Sequence, residues 1–431
     1  MTGLIAQQNV HRMTSLEKGN WTSRTYREAV LKQIQTVIAY DAYCFTTVDP
    51  STLLSTGAVT EDGIEAIHDQ LFINEYMEED LHKYADLIQS DQHAAILYAS
   101  IQSRPEASAR YTTILQPAGF GDELRAVFVN NGACWGYLTL YRKKTRPVFT
   151  EEERLLMQQW TSSIAFMLRT TRLSLMEELQ GGSPREPGIV ILRASLELVM
   201  QNSAARYWLS ELRRLEQVED CVLPRPLRAV SSHLLQSIRR MDSTESCKSD
   251  GLQSKVCVQL ADGRYVMLQA SVMQHVDSNG QSDKPDQISV WLEQAMPQDL
   301  LPLLSESYAL SARERELLGY VLRSYSSKEI AAAMHISTYT VQDHLKSIFA
   351  KTKVSSAVSL SGILFPVFSY PGNRRYQKYK LCTTKEACPY RLASFDCITY
   401  FDNLNPLKDL NSRINIDIHH AQHALLLIRV F

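Results

Sequence analysis

The chain has no apolar run approaching the roughly 18 residues that a membrane span needs, which argues against a membrane partner. Its opening stretch, MTGLIAQQNVHRMTSLEKGN, lacks the apolar core of an export signal, so a cytoplasmic location is expected. The 8 cysteines form no CxxC pair and no Cys/His set with zinc spacing. They read as reduced thiols, and no structural metal is expected. The run HHAQH, with His419, His420 and His423, is the one place where histidines crowd, and it is not read as a metal site. GxxxxGK, GxSxG and HExxH are all missing, as is a set of aspartates with a lysine resembling a phospho-receiver site. The expectation is a protein with no catalytic residues and no cofactor, not an enzyme.

What is present is length, apolar material and an uneven charge. At 431 residues the chain exceeds one ordinary domain, and 45% hydrophobic with 21% charged residues describes soluble globular domains. Residues 1–309 carry 29 basic and 38 acidic side chains, net −9. Residues 310–360 carry 7 and 4, net +3, and 361–431 carry 9 and 5, net +4. A polyanion is repelled by the first three-quarters and attracted to the last.

In the first 180 residues, Val30, Leu31, Ile34, Val37 and Ile38 predict an amphipathic helix over Glu28–Tyr40. Strands are expected at Tyr43–Val48 and Leu53–Val59 around Asp49-Pro50, and helices at 62–77 and 80–90. Leu124–Val129 and Trp135–Tyr141 flank Asn130-Asn131-Gly132, a tight-hairpin signal because the turn residues must tolerate positive φ. Thr150 and Glu153 form a capping box for a helix reaching about Glu178, with Leu155, Leu156, Trp160, Ile164 and Leu168 as its apolar stripe. This order, with the phrases FTTVDPSTLLSTGAVT and GDELRAVF…CWGYLTLYR, resembles the GAF-like domain of bacterial transcription regulators. The resemblance implies an α+β sensor over 20–178 that either binds a small molecule or serves structure and pairing. Cys134 and Trp135 read as core, and no residue of the pattern chooses a ligand.

Gly181-Gly182-Ser183-Pro184 marks a linker. Gly188–Leu192 and Leu196–Met200 read as strands, Asn202 as a helix cap and Pro226–Arg240 as a helix. Ser254–Leu260, the Asp262-Gly263 turn, Tyr265–Met273 and Ile288–Glu293 complete a meander, with 278–286 as a polar loop. This order resembles an α+β PAS-like domain over 188–296. No haem or flavin signature accompanies it, and His275 reads as a surface or packed residue. Pro297–Ser307 is read as a second linker.

Leu310–Val354 carries the most specific pattern. Ser311 with Glu314, and Ser326 with Glu329, are capping boxes opening two helices. Ser337 caps a third, in which Val341, Leu345 and Ile348 recur at i, i+4 and i+7. Thr338, Tyr339, Thr340, Gln342, Asp343 and Lys346 then point away from that core. Gln342 suits the adenine edge, Asp343 cytosine N4, and Lys346 guanine or a phosphate. Thr340, Lys328 and Lys351 suit phosphates. The residues alone fit a groove-reading helix or a solvated face equally. The runs Leu310-Ser311-x-Arg313-Glu314-Arg315-Glu316, Ser327-Lys328-Glu329-Ile330-Ala331 and Ile336-Ser337-x-x-Thr340-Val341-x-x-His344-Leu345 resemble the LuxR-type helix-turn-helix domain. The end Ile348-Phe349-x-Lys351-Thr352 matches as well, and Ser324 and Lys353 stand where the family favours glycine. The resemblance implies an all-α domain over 306–360 whose recognition helix, Ser337–Thr352, enters the major groove of promoter DNA, with the chain acting as a homodimer.

After Val354 the pattern departs. The family continues with a Ser-Arg-x-Glu-Leu-Val-like fourth helix, whereas this chain reads Ser355-Ser356-Ala357-Val358-Ser359-Leu360-Ser361-Gly362. Back-translated and read out of frame, 356–362 yields Arg-Ser-Glu-Leu-Val-Gly. A frameshift near Val354–Ser356 is therefore expected, with 361–431 as an atypical tail, disordered or foreign to the fold. The whole reading is a multidomain bacterial transcription regulator responding to a small-molecule effector. The alternative is a ligand- or protein-binding module that has lost DNA binding with its fourth helix.

Overall fold

The computed structural model describes Met13 and residues 16–19, 21–102, 104–173, 184, 186–242, 253–273, 287–323 and 325–352. The chain divides into two compact units, one of residues 1–179 and 183–309, the other of 180–182 and 310–431. The first is α+β and multilayered; the described part of the second is all helical.

In the first unit, α1 (Ser23–Gln35) begins five residues before the expected start. Thr22 caps it, accepting from the backbone N–H of Thr25, while the Thr25 hydroxyl accepts in return from the Thr22 N–H. The helix ends before Val37 and Ile38, which bond back to the Ile34 carbonyl in a turn. Ile38 is nonetheless fully buried, so apolar spacing found the core residue and overran the helix.

Strands β1 (Ala42–Val48), β2 (Ser55–Thr60), β3 (Ala94–Ile96), β4 (Phe120–Asn130) and β5 (Ala133–Lys143) form an antiparallel sheet in the order β2-β1-β5-β4-β3. The β4–β5 turn is the expected one: Asn131 and Gly132 have φ of 54° and 81°, and Asn130 pairs with Ala133. The helix α2 (His68–Met77) falls within the expected 62–77. The stretch 80–90 is helical only over α3, Tyr84–Gln89. His82 has φ of 54°, and the Asp80 carboxylate turns to accept from the Arg110 N–H and the Ser108 hydroxyl, which ends any continuous helix there.

The long helix α4 (Glu151–Leu173) opens on the expected box, with the Thr150 N–H donating to Glu153 Oε2 at 2.9 Å. It packs on β4 and β5, and Gly136 permits the approach. A Cβ there would stand 2.7 Å from the Thr46 carbonyl oxygen and 2.9 Å from Leu168 Cδ1. The other face of the sheet holds a buried ionic network. Glu123 and Arg125, two apart on β4, point the same way. Arg110 donates to Glu123 from Nε at 2.9 Å, and Arg125 contacts Glu75 at 2.7 Å and Glu123 at 3.0 Å.

A second antiparallel sheet comprises β6 (Gly188–Arg193), β7 (Leu198–Gln201), β8 (Gln253–Gln259), β9 (Tyr265–Met273) and β10 (Gln287–Gln294), ordered β7-β6-β10-β9-β8. Helices α5 (Ser203–Glu216) and α6 (Arg225–Asp242) cover one face. Asn202 caps α5 through the Ala205 N–H at 2.8 Å, as expected. Leu54 and Phe72 from the first sheet's side share the core of Trp208, Leu212, Leu227 and Val230. Buried arginines tie the two sheets together. Arg172 donates to Thr56 Oγ1 at 2.8 Å and to the Cys257 carbonyl at 3.3 Å. Arg225 donates to Thr60 Oγ1 at 2.8 Å and to Glu65.

Pro297–Ser307 corrects the linker reading. It is a 3₁₀ turn at Pro297–Leu300 followed by α7, Leu301–Ser307. Leu300, Leu303 and Leu304 are buried, and that apolar burial gives the segment structure despite its two prolines. The loop 278–286, His275, the HHAQH run and the tail from 361 lie outside the described residues. Among the described residues no group of His, Cys, Asp and Glu could hold a metal, and no helix is long and apolar enough to cross a membrane.

Candidate nucleic-acid interface

The second unit contains α8 (Ala312–Leu322), α9 (Ser327–Met334) and α10 (Thr338–Thr352). Each begins where a serine can satisfy N–H groups that have no intrahelical partner. Ser311 and Ser326 close full capping boxes with Glu314 and Glu329, and the Ser337 hydroxyl accepts from the Thr340 N–H at 3.0 Å. Leu317, Leu318 and Val321 on α8, Ile330, Ala331 and Met334 on α9, and Val341, Leu345 and Ile348 on α10 form the buried centre. Between α9 and α10, His335 takes the left-handed conformation (φ 54°, ψ 46°) and its N–H reaches the Ala331 and Ala332 carbonyls. The chain thereby ends α9 and turns into α10 within three residues.

Helix α10 has two stripes. Val341, Leu345, Ile348 and Thr352 are buried; Tyr339, Asp343, Lys346 and Ala350, at the same spacing, are exposed. Tyr339 is 73% exposed. Lys346 lies 3.4 Å from Asp343 and 6.0 Å from the Tyr339 ring centre, so the three form one charged and aromatic surface. Thr338 is exposed beside them. Thr340 is half-buried and shares a 2.8 Å hydrogen bond with the Ser337 hydroxyl. Gln342 is also half-buried, and its amide donates to the Ser327 hydroxyl at 3.2 Å, tying α10 to the start of α9. Lys328 is exposed at that same start. Lys351 is exposed but donates to Glu314 at 2.7 Å.

Glu314 is the residue whose wider role the sequence did not reveal. Beyond closing its capping box, its carboxylate accepts from the Ser347 hydroxyl at 2.6 Å and from Lys351, so one buried acid joins α8 to α10. Burial alone would raise its pKa. The hydrogen bonds from Lys351, Ser347 and Ser311 outweigh that and hold it at about 2. The capping-box half was visible in the spacing of Ser311 and Glu314. Ser347 and Lys351 are 33 and 37 residues away, and no local signal marks them.

Three short helices, a left-handed turn between the last two and an outward polar stripe on the third define a helix-turn-helix domain. Residues 308–362 match the family described as bacterial regulatory proteins, luxR family, and the chain carries a LuxR-type domain at this position. Over 51 residues the chain is 47% identical to the monoamine regulon transcriptional regulator of Klebsiella aerogenes, covering 12% of this chain and 22% of that one. Over 58 residues it is 45% identical to the response regulator protein TodT of Pseudomonas putida, covering 13% and 26%. The chain thus spans about a quarter of the length of these curated relatives. A crystal structure of Escherichia coli SdiA aligns over 84% of this chain and 97% of its own, at 12% identity and a TM-score of 0.28, too weak a likeness to bear on the fold.

Proposed function

We propose that the protein is a sequence-specific, double-stranded-DNA-binding transcription regulator, cytoplasmic and homodimeric, and without enzymatic activity. Its first unit, a GAF-like domain over 20–178 joined to a PAS-like domain over 188–296, senses a small-molecule effector. Its domain over 306–360 places α10 in the major groove of promoter DNA. The observation that carries this reading is the pair of stripes on α10: one face is packed into the bundle, and the opposite face, among the described residues, offers Tyr339, Asp343 and Lys346 without apolar cover. In the groove, Lys346 reaches guanine or a phosphate and Asp343 accepts from cytosine N4. Thr338 and Tyr339 lie at the entry of the helix. Thr340, Lys328 and Lys351 serve phosphates, and Gln342 reads adenine from a position braced by Ser327.

Selection of binding sites from random duplex DNA tests the proposal. A recurrent, palindromic site is the expected result, because two-fold protein symmetry is mirrored in the half-sites. On that site Lys346→Ala and Gln342→Ala should each weaken binding by about 1–3 kcal/mol. No enriched site, or equal binding by wild type and both variants, would reject it.

A further inference from the structure

Where the two sheets meet, the first unit has a partly open cavity of about 50 Å³. Its walls are aromatic on two sides. Tyr84 stacks on Tyr137 with ring centres 4.1 Å apart, and Phe72 packs on Tyr76 at 4.6 Å. Among the described residues, the Ser55 hydroxyl and His68 Nδ1 of the lining are buried without a hydrogen-bond partner, in residues 2% and 6% exposed. A buried polar atom left unpaired costs stability, and such atoms are uncommon unless a ligand or water completes them.

The chemistry of the missing partner can be read from its surroundings. Arg225 Nε, which can only donate, points at His68 Nε2 from 3.1 Å. That nitrogen must therefore be the acceptor, and the ring proton sits on Nδ1. Burial, Arg225 and Arg228 all push the His68 pKa well below its ordinary range, so the ring stays neutral. His68 thus offers an N–H donor, and Ser55 offers a hydroxyl that both donates and accepts. Both cations in the lining are already matched. Arg125 is paired with Glu75 and Glu123, and Arg225 with Glu65 and Glu216. An anion entering the cavity finds carboxylates already holding the guanidinium groups. At ~10–15 Å³ for each water, the space holds about three to five waters, the bulk of one small ring.

We propose that this cavity binds a small, neutral, single-ring molecule bearing one hydroxyl, whose oxygen accepts from His68 Nδ1–H and whose proton goes to Ser55 Oγ, with its ring against the tyrosine and phenylalanine walls. The proposal rests on the sensing part of the function proposed above and identifies the chemical class sensed. The site draws on both halves of the unit, since Ser55 lies on β2 and His68 opens α2, while Arg225, which sets the histidine tautomer, opens α6 against the second sheet.

Titration calorimetry on the full chain tests it, with phenol as the neutral probe and benzoate as its anionic counterpart. The expected result is one saturable phenol site per chain, with benzoate binding at least tenfold more weakly. Ser55→Ala and His68→Phe should each weaken phenol about tenfold. A melting curve for each variant separates loss of the site from loss of the fold, and the comparison of phenol with benzoate on the wild type stands without either. Absence of saturable phenol binding to the wild type, or benzoate binding as tightly as phenol, overturns the proposal. A gel shift on the selected DNA with the same sample separates the two readings: a chain that binds DNA and no phenol loses this site alone.

Discussion

Single residues here carry more than their neighbours in the sequence suggest. Glu314 is the clearest case. Its carboxyl has an ordinary pKa of 4.5 and is held at about 2 in the folded chain. A depressed acid contributes stability above its unfolded pKa and loses it as pH falls through the folded one. The helix-turn-helix unit should therefore hold its full share above about pH 4.5 and lose it progressively between 4.5 and about 2. The share is about 3–4 kcal/mol, since each tenfold change in proton affinity is worth roughly 1.4 kcal/mol. Melting curves of wild type and Glu314→Gln across that window check it. The variant should be less stable at neutral pH and show a flatter acid response; parallel curves for the two would reject the role. Gln342 illustrates a different point. Its tie to Ser327 means that its replacement removes a brace as well as the proposed base contact, so its effect on DNA binding should come with a small loss of stability, whereas that of Lys346 should not.

Elements follow a rule of distance. Capping boxes at Ser311 and Ser326, the Asn131-Gly132 hairpin and the Asn202 cap are all made within three residues, and they could be read directly from residue order. Helix ends set by distant partners could not. The 80–90 stretch breaks because Asp80 bonds Arg110, 30 residues on, and Pro297–Ser307 coils because its leucines have somewhere to be buried. The contact of α4 with the first sheet depends on Gly136 in the same way. Gly136→Ala places a methyl against the Thr46 carbonyl and Leu168. It should destabilise the first unit by about 1–3 kcal/mol, the usual cost of overpacking. Urea unfolding followed by tryptophan fluorescence reads this, and an unchanged midpoint would show that the sheet and helix can separate at no cost.

For the whole molecule, the charge distribution makes its own prediction. The segment 310–360 is net +3 on a chain that is net −2. Binding to DNA through it should weaken steeply with salt, because each neutralised phosphate releases counterions. Lys328→Ala should weaken binding to all sequences alike and reduce the slope of log affinity against log salt by about one. Fluorescence anisotropy at several salt concentrations measures that slope; a slope that Lys328→Ala leaves untouched removes the lysine from the phosphate set.

The order of residues by itself determined most of the helical and strand segments, the capping boxes, the luxR-type pattern and the Tyr339, Asp343 and Lys346 stripe of α10, since each is set by a period or by a spacing of three to eleven residues. Tertiary structure alone decided which groups meet across long separations. It brought Glu314 to Lys351, and it brought His68 to Arg225 over 157 residues. Whether a polar atom is left unpaired depends on everything packed around it. The cavity beneath Ser55 and His68 therefore exists only once the two sheets share a core.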